Sequence, residues 1–119
     1  MKALLEVSRR AMKLSEIIGE DGLLDGLKGR MKEEVVRELV EYLAKLGRLD
    51  PDKVDEVTER ILERERQGST GIGNGVAVPH VKQYEGVSEM VGVLGRSKEG
   101  VDFDALDGSL CHLFFLLIT

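Results

Sequence analysis

The central stretch of the sequence, residues 64–80, reads RERQGSTGIGNGVAVPH. It passes from a charged helical pattern, through alternating glycines at Gly71, Gly73 and Gly75, to an apolar strand pattern that ends at His80. A dinucleotide-binding motif needs a strand before its glycines and a helix after them, and a Walker motif needs a Lys-Ser or Lys-Thr pair. The stretch therefore indicates neither motif, but a flexible backbone that can turn its N–H groups toward an anion.

Polar side chains lie on both sides of these glycines. The hydroxyls of Ser69 and Thr70 stand before them, and His80 follows Pro79 at a strand end, where α/β sheets present their chemistry. An imidazole with an ordinary pKa of about 6.5 offers a neutral nitrogen nucleophile near neutral pH, and it can carry a phosphoryl group. On the residues alone, a histidine that only makes a structural hydrogen bond remains the alternative.

Two helices are predicted before the glycines. Residues 31–46 repeat apolar side chains at three- and four-residue steps, which indicates one buried stripe along a helix. A second helix is predicted to begin with Asp50 as N-cap and Pro51 at its first position, and to end at Gly68. The charged residues of this second helix predict a solvent-exposed face made of Glu59, Arg60, Glu63, Arg64, Glu65 and Arg66.

Strands are predicted after the glycines. Residues 90–94 indicate a short strand, residues 100–108 a loop, and residues 110–118 a central strand covered on both faces. This order of elements predicts an α/β layered domain. Cys111 is predicted to be a core residue and His112 a packed or edge residue. Because neighbours in a strand point to opposite faces, the two make a poor metal site.

Composition excludes several classes of protein. The 119 residues suit a single domain, and 17 basic against 22 acidic residues give a net charge of −5. An acidic chain without tryptophan is a poor candidate for binding nucleic acid. No apolar run approaches the roughly 20 residues that cross a bilayer. One cysteine makes no internal disulfide, which favours a reducing, cytoplasmic location.

Residues 64–80 closely resemble the signature of phosphotransferase-system (PTS) enzyme IIA domains of the fructose/mannitol type, a group that includes the nitrogen-regulatory IIA proteins. The flanks are similar as well: residues 13–18 read KLSEII and residues 100–108 read GVDFDALDG. The resemblance implies a three-layer α/β/α sandwich with a mixed sheet. It assigns residues 12–119 to the IIA domain and leaves residues 1–11 as an N-terminal extension.

The resemblance also implies a function. In this family the histidine of the Pro-His pair accepts a phosphoryl group from the phosphocarrier protein HPr. It then passes the group to a IIB domain, or keeps it as a signal to a regulatory target. His80 matches that histidine, and Arg64 matches the family's arginine, whose forked charge suits phosphate oxygens. We expect phosphate-binding donors at Ser69, Thr70, Gly71, Gly73 and Gly75, and no cofactor.

The sequence departs from the family pattern in two ways. The family continues with a strand, helices and a second active-site histidine, whereas this sequence stops at Thr119. We therefore expect the domain to lack its C-terminal elements and to self-associate through an open sheet edge and exposed apolar surface. Met31 also replaces the usual Ser or Thr helix cap. Sugar transport and regulation both stay open, and a non-catalytic protein-interaction domain with this fold is the alternative function.

Overall fold

Three α-helices, one 3₁₀ turn and six strands make up residues 14–119, the part of the chain that the computed structural model describes. The predicted extension of residues 1–11 lies outside the described residues. In chain order the elements are α1 (Leu14–Ile18), β1 (Leu23–Asp25), α2 (Lys32–Lys45), a 3₁₀ turn (Pro51–Lys53), α3 (Val54–Arg66), β2 (Gly71–Gly73), β3 (Val76–Ala77), β4 (His80–Val81), β5 (Val91–Val101) and β6 (Cys111–Ile118).

The strands form one mixed sheet in the order β1-β5-β6-β3-β2, which confirms the predicted α/β class. The long strands β5 and β6 are antiparallel, and β1 runs parallel to β5. Strands β3 and β4 both run parallel to β6. They pair with it one after the other, β3 with residues 113–114 and β4 with residues 117–118. Strand β2 folds back on β3 as a hairpin.

Helices α2 and α3 pack on one face of this sheet, and their apolar stripes form the core with alternate residues of β5 and β6. Leu39 of α2 lies so close to Gly95 of β5 that a Cβ there would come within 2.5 Å of its Cδ2 atom. Most of the predicted stripe of α2 is confirmed, because Val36, Leu39, Val40 and Leu43 are fully buried, as is Val35. The fifth predicted member, Leu46, follows the helix as its C-cap and is only half-buried. On the opposite face, Ile17 of α1 lies beside Gly92 and Leu117.

The N-terminal ends of α2 and α3 agree with the sequence prediction, except that the cap predicted for α3 belongs to the 3₁₀ turn before it. Met31 provides no side-chain cap for α2, as predicted, and the Glu34 carboxylate instead accepts the N–H groups of Arg30 at 2.9 Å and Met31 at 3.2 Å. Asp50 accepts the N–H of Asp52 at 2.9 Å. This cap serves the 3₁₀ turn that precedes α3 rather than the first turn of α3 itself.

Two predictions about the second half of the domain were wrong in extent. Strand β5 continues past Leu94 to Val101, because Arg96 and Val101 both pair with β6 on either side of a register shift. The predicted strand over residues 76–78 is interrupted and resumes at His80. None of the helices between Leu14 and Thr119 is both long and apolar enough to cross a lipid bilayer.

Candidate functional site

His80 opens the two-residue strand β4, which continues the line of β3 after a break at Val78 and Pro79. Proline lacks an N–H donor and therefore interrupts a hydrogen-bonded ladder. The Pro79 carbonyl nevertheless accepts the N–H of Leu117 at 3.0 Å, so the chain stays hydrogen-bonded to β6 at this interruption. The break also leaves the Val78 carbonyl oxygen beside the His80 ring, 2.8 Å from Nδ1.

This contact fixes the tautomer of the imidazole. A backbone carbonyl can only accept, so Nδ1 carries the proton and Nε2 carries the lone pair. Among residues 14–119 Nε2 has no hydrogen-bond partner. The side chain of His80 is only 6% exposed, so its approach is restricted. The geometry therefore leaves one defined ring nitrogen, Nε2, with a free lone pair.

The surroundings of His80 keep the ring neutral. Burial is the main cause, because it penalises the charged imidazolium and lowers the pKa of His80 below its ordinary 6.5. The hydrogen bond to Val78 and the negative charge of Glu65 act in the opposite direction, whereas the positive charges of Arg64 and Lys82 lower the pKa further. The lone pair on Nε2 is thus available at neutral pH.

Arg64 lies in the last turn of α3 and is half-buried. Its Nη1 atom donates to the Gly68 carbonyl oxygen at 2.8 Å, which holds the guanidinium over the C-terminal end of the helix. From there its charge reaches His80, as does that of Lys82 two residues after the histidine. The positive charges of Arg64 and of Lys82, a residue that the sequence analysis missed, thus both act on His80. A shared role of these residues in phosphate binding stays a prediction.

The predicted phosphate-binding groups at the start of the glycine segment already have partners within the protein. The Thr70 N–H lies 3.2 and 3.3 Å from the two carboxylate oxygens of Glu65, and the Thr70 hydroxyl donates to the same carboxylate. The Ser69 hydroxyl donates to the Phe103 carbonyl and accepts the N–H of Gly71, the latter at 2.9 Å. A role for these groups as phosphate ligands stays a prediction.

The remaining glycines build the β2–β3 hairpin. Gly73 and Gly75 have φ angles of +99° and +79°, a backbone region that favours glycine, and Asn74 between them has a φ of +56°. The N–H of Asn74 donates to Asp107 at 3.0 Å, and the Gly75 carbonyl accepts the N–H of His112 at 2.7 Å. This turn lies before β3, whereas His80 follows it, so phosphate binding by Gly73 and Gly75 also stays a prediction.

Glu65 is the residue that the sequence analysis placed wrongly. Its side chain is buried, with the residue only 5% exposed, and does not belong to the solvent-exposed face of α3. The signal was available, because Glu65 continues at a four-residue step the buried stripe that includes Val57 and Ile61. Its carboxylate holds Thr70 on one side and lies 3.7 Å from the Lys32 ammonium on the other.

The cysteine lies as predicted, whereas the second histidine, predicted to be packed or at an edge, lies exposed on a strand with neighbours on both sides. Cys111 is fully buried, and burial raises the pKa of its thiol above the ordinary value. His112 is exposed, with Nδ1 at 3.0 Å from the Ser97 carbonyl oxygen. The two neighbours therefore point to opposite faces of β6.

The chain is similar to known proteins over almost its whole described length. The family model described as "Phosphoenolpyruvate-dependent sugar phosphotransferase system, EIIA 2" matches residues 16–119. The PTS system fructose-specific EIIABC component of Bacillus subtilis is 39% identical over 106 residues, which cover 89% of this chain and 16% of the relative.

Two solved structures share the fold. The nitrogen regulatory protein IIA-Ntr of Neisseria meningitidis matches with a TM-score of 0.69 and 35% identity, over 81% of this chain and 62% of that one. Enzyme IIAMTL, solved in complex with phosphorylated enzyme IIBMTL from Escherichia coli, gives a TM-score of 0.67 and 28% identity, over 83% of this chain and 67% of that one.

The chain thus spans about a sixth of the Bacillus subtilis relative and less than two thirds of the Neisseria structure. The match nevertheless includes every strand of the sheet and the whole segment from Arg64 to His80. On this similarity of sequence and fold, the chain belongs to the EIIA 2 family of the phosphoenolpyruvate-dependent sugar phosphotransferase system.

Proposed function

We propose that this chain is a phosphoryl carrier in which Nε2 of His80 accepts a phosphoryl group from the phosphocarrier protein HPr. The observation that supports this most directly is the Nδ1–H bond to Val78, which leaves the lone pair on Nε2. The P–N bond to the donor imidazole breaks as the bond to Nε2 forms, so one phosphoryl group changes imidazole and nothing is oxidised or reduced. Transfer between two imidazoles is close to balanced and can reverse.

Positive charge at the site supports the same role. Phosphoryl transfer depends on positioning and charge neutralisation more than on acid or base strength. Arg64 and Lys82 both act electrostatically on His80, and Arg64 offers a permanent forked guanidinium for phosphate oxygens. The two cations would stabilise the phosphorylated ring more than the free one, because only the former carries negative oxygens.

The glycine segment would contribute to phosphate binding only after an exchange of partners. Thr70 and Gly71 donate their N–H groups to Glu65 and Ser69. An incoming phosphoryl group would have to replace those acceptors before Thr70 or Gly71 could donate to it, and the Phe103 carbonyl before the Ser69 hydroxyl could do so. In this proposal Arg64 and Lys82 therefore make the first contacts, and the segment acts mainly by shaping the site.

Phosphorylated His80 would then pass its phosphoryl group to a IIB domain, or the phosphorylated chain would signal to a regulatory target. Both would take place in the cytoplasm, where the PTS phosphocarriers act. The solved relative in complex with phosphorylated IIBMTL supports the first acceptor, and the nitrogen regulatory relative supports the second. Incubating the phosphorylated chain with a fructose-type IIB domain separates them: rapid loss of phosphate supports transport, and retention supports regulation.

The test of the carrier function is a mass measurement. The purified chain is mixed with phosphoenolpyruvate, enzyme I and HPr, and we expect an acid-labile gain of one phosphoryl group. His80→Ala should abolish the gain, and the matched control His112→Ala should keep it, since His112 is exposed on β6 and its ring contacts the Ser97 carbonyl. An equal gain in His80→Ala would refute the assignment. No gain in any variant, with partner capture insensitive to His80→Ala, would favour the non-catalytic interaction domain.

A further inference from the structure

The buried carboxylate of Glu65 is the most densely engaged acidic group near His80. Thr70 alone gives it two donors, its N–H and its hydroxyl. Lys32 of α2 lies on the other side, 3.7 Å from Oε2, and also pairs with Asp104 at 2.8 Å. A buried carboxylate is costly unless it is paired and hydrogen-bonded, and here it has both kinds of partner.

A continuous line of hydrogen bonds runs from this carboxylate to the imidazole. Glu65 holds the N–H and hydroxyl of Thr70, and the Thr70 carbonyl accepts the N–H of Val78 at 3.0 Å. The Val78 carbonyl then accepts Nδ1–H of His80 at 2.8 Å. The line connects Glu65 to His80 through Thr70 and Val78. A displacement of Thr70 therefore also moves Val78, whose carbonyl orients the ring.

We propose that Glu65 is a positioning residue that, through Thr70 and Val78, holds His80 in the Nδ1–H tautomer with Nε2 as the reactive nitrogen. The tautomer part of this proposal stands on the geometry alone, and the effect on transfer rests on the proposed carrier function of His80. Glu65 touches neither the ring nor a phosphoryl group; it acts on the peptide that touches the ring.

The chemistry of the line explains why a carboxylate is needed at this position. Thr70 offers two donors and Lys32 a third, so the partner must accept in three directions and donate in none. An ionised carboxylate meets that requirement, whereas an amide replaces one acceptor oxygen with an NH₂ donor. In Glu65→Gln the NH₂ group would therefore face another donor, and the pairing with Thr70 would weaken.

The test follows the tautomer by ¹⁵N NMR of the His80 ring in the unphosphorylated protein, where no phosphate ligand contributes. The wild type is expected to show the Nδ1–H form. Glu65→Gln is expected to show a mixture of both tautomers and to accept phosphate from HPr about 10- to 100-fold more slowly, because the nucleophile is misplaced. Glu63→Gln, an exposed neighbour on the same helix paired with Arg66, is the matched control and should behave as wild type.

Variants of Thr70 provide a second test of the positioning role in case Glu65→Gln fails to fold. Thr70→Val removes one donor and should mix the tautomers, and Thr70→Ser keeps both donors and should restore the wild-type ring signals. Wild-type tautomer signals in both Glu65→Gln and Thr70→Val would overturn the inference. If the wild type accepts no phosphate but the variants still mix the tautomers, the carrier function fails and the positioning role stands.

Discussion

The phenol hydroxyl of Tyr84 donates to the Glu56 carboxylate at 2.7 Å, and this bond fastens the segment after His80 to helix α3. The Arg60 guanidinium lies over the same ring, 5.3 Å from its centroid. Tyr84 is buried, and its own N–H donates to the Thr119 carbonyl at 2.9 Å. The helix that carries Arg64 is thereby held to the segment that follows the strand of His80.

Stability at alkaline pH tests the Tyr84 contact. Burial, followed by the bond to Glu56, raises the pKa of Tyr84 from 10.0 to about 12. As pH rises, Tyr84 loses its proton at a lower pH in the unfolded chain than in the folded one. The contribution of Tyr84 to the free energy of unfolding is therefore fully present below pH 10 and declines as pH rises from 10 to about 12. Tyr84→Phe should remove this decline and cost about 1 kcal/mol at neutral pH. Denaturant titrations at several pH values measure both, and a decline that persists in Tyr84→Phe would contradict the contact.

The titration of His80 tests the electrostatics of the site. Its pKa is lowered from 6.5, mainly by burial, so the folded ring stays neutral at a pH where the unfolded chain takes up a proton. This contribution to stability is present above pH 6.5 and is lost as pH falls through the lowered folded value. We expect an NMR midpoint for His80 below 6.5 and a phosphoryl acceptance rate that reaches half of its maximum below pH 6.5. A midpoint above 6.5 would show that the ring is solvated or paired with an anion.

Replacement of Arg64 separates its role in the site from its role in the helix. Arg64→Ala should slow phosphoryl acceptance by roughly 10²-fold, because one phosphate-binding cation is lost. It should also raise the pKa of His80, because the Arg64 charge lowers it. The matched control is Arg66→Ala, since Arg66 pairs with Glu59 and Glu63 on the exposed side of the same helix. Single-turnover transfer kinetics and the His80 titration are the measurements, and equal rates for the two variants would remove Arg64 from the site.

The close approach of α2 to the sheet is tested by Gly95→Ala. A Cβ at this position would lie 2.5 Å from Leu39 Cδ2 and 2.9 Å from Leu27 Cδ1, both in the buried core. Since these side chains have little room to move, we expect a loss of about 1–3 kcal/mol in the free energy of unfolding. Gly108→Ala is the comparison: no atom lies within 4 Å of the added methyl group, so only the strain of its φ of +73° remains. A neutral Gly95→Ala would show that α2 can move away from β5.

Much of the fold could be predicted because its signals are local. The spacing of apolar residues identified α2 and α3, and the continuous apolar run identified β6. Strand β1 escaped prediction, since its three residues carry no pattern and exist as a strand only by pairing with residues 94–96 of β5. The second half of β5 was missed because residues 96–99 are polar, and it joins the sheet through the pairs that Arg96 and Val101 make with β6.

The same distinction applies to the candidate site: some of its features could be predicted from the sequence and others could not. The Pro-His pair and the preceding arginine are visible in the sequence, and the positive charge of Arg64 acts on His80. The burial of Glu65 was a matter of helical phase and could have been recognised. The partners of Ser69 and Asn74 could not, because the Phe103 carbonyl and Asp107 reach them from a loop more than thirty positions away.

The sequence by itself determined which residues alternate, which repeat at helical spacing, and where a proline interrupts a strand beside a histidine. These features depend on neighbours along the chain, whose geometry is set by covalent bonds and backbone sterics. Only the tertiary structure decided that the Ser69 hydroxyl donates to the Phe103 carbonyl and that the N–H of Asn74 donates to Asp107. Such choices depend on which distant groups the packed core brings within hydrogen-bonding distance, and no local pattern records them.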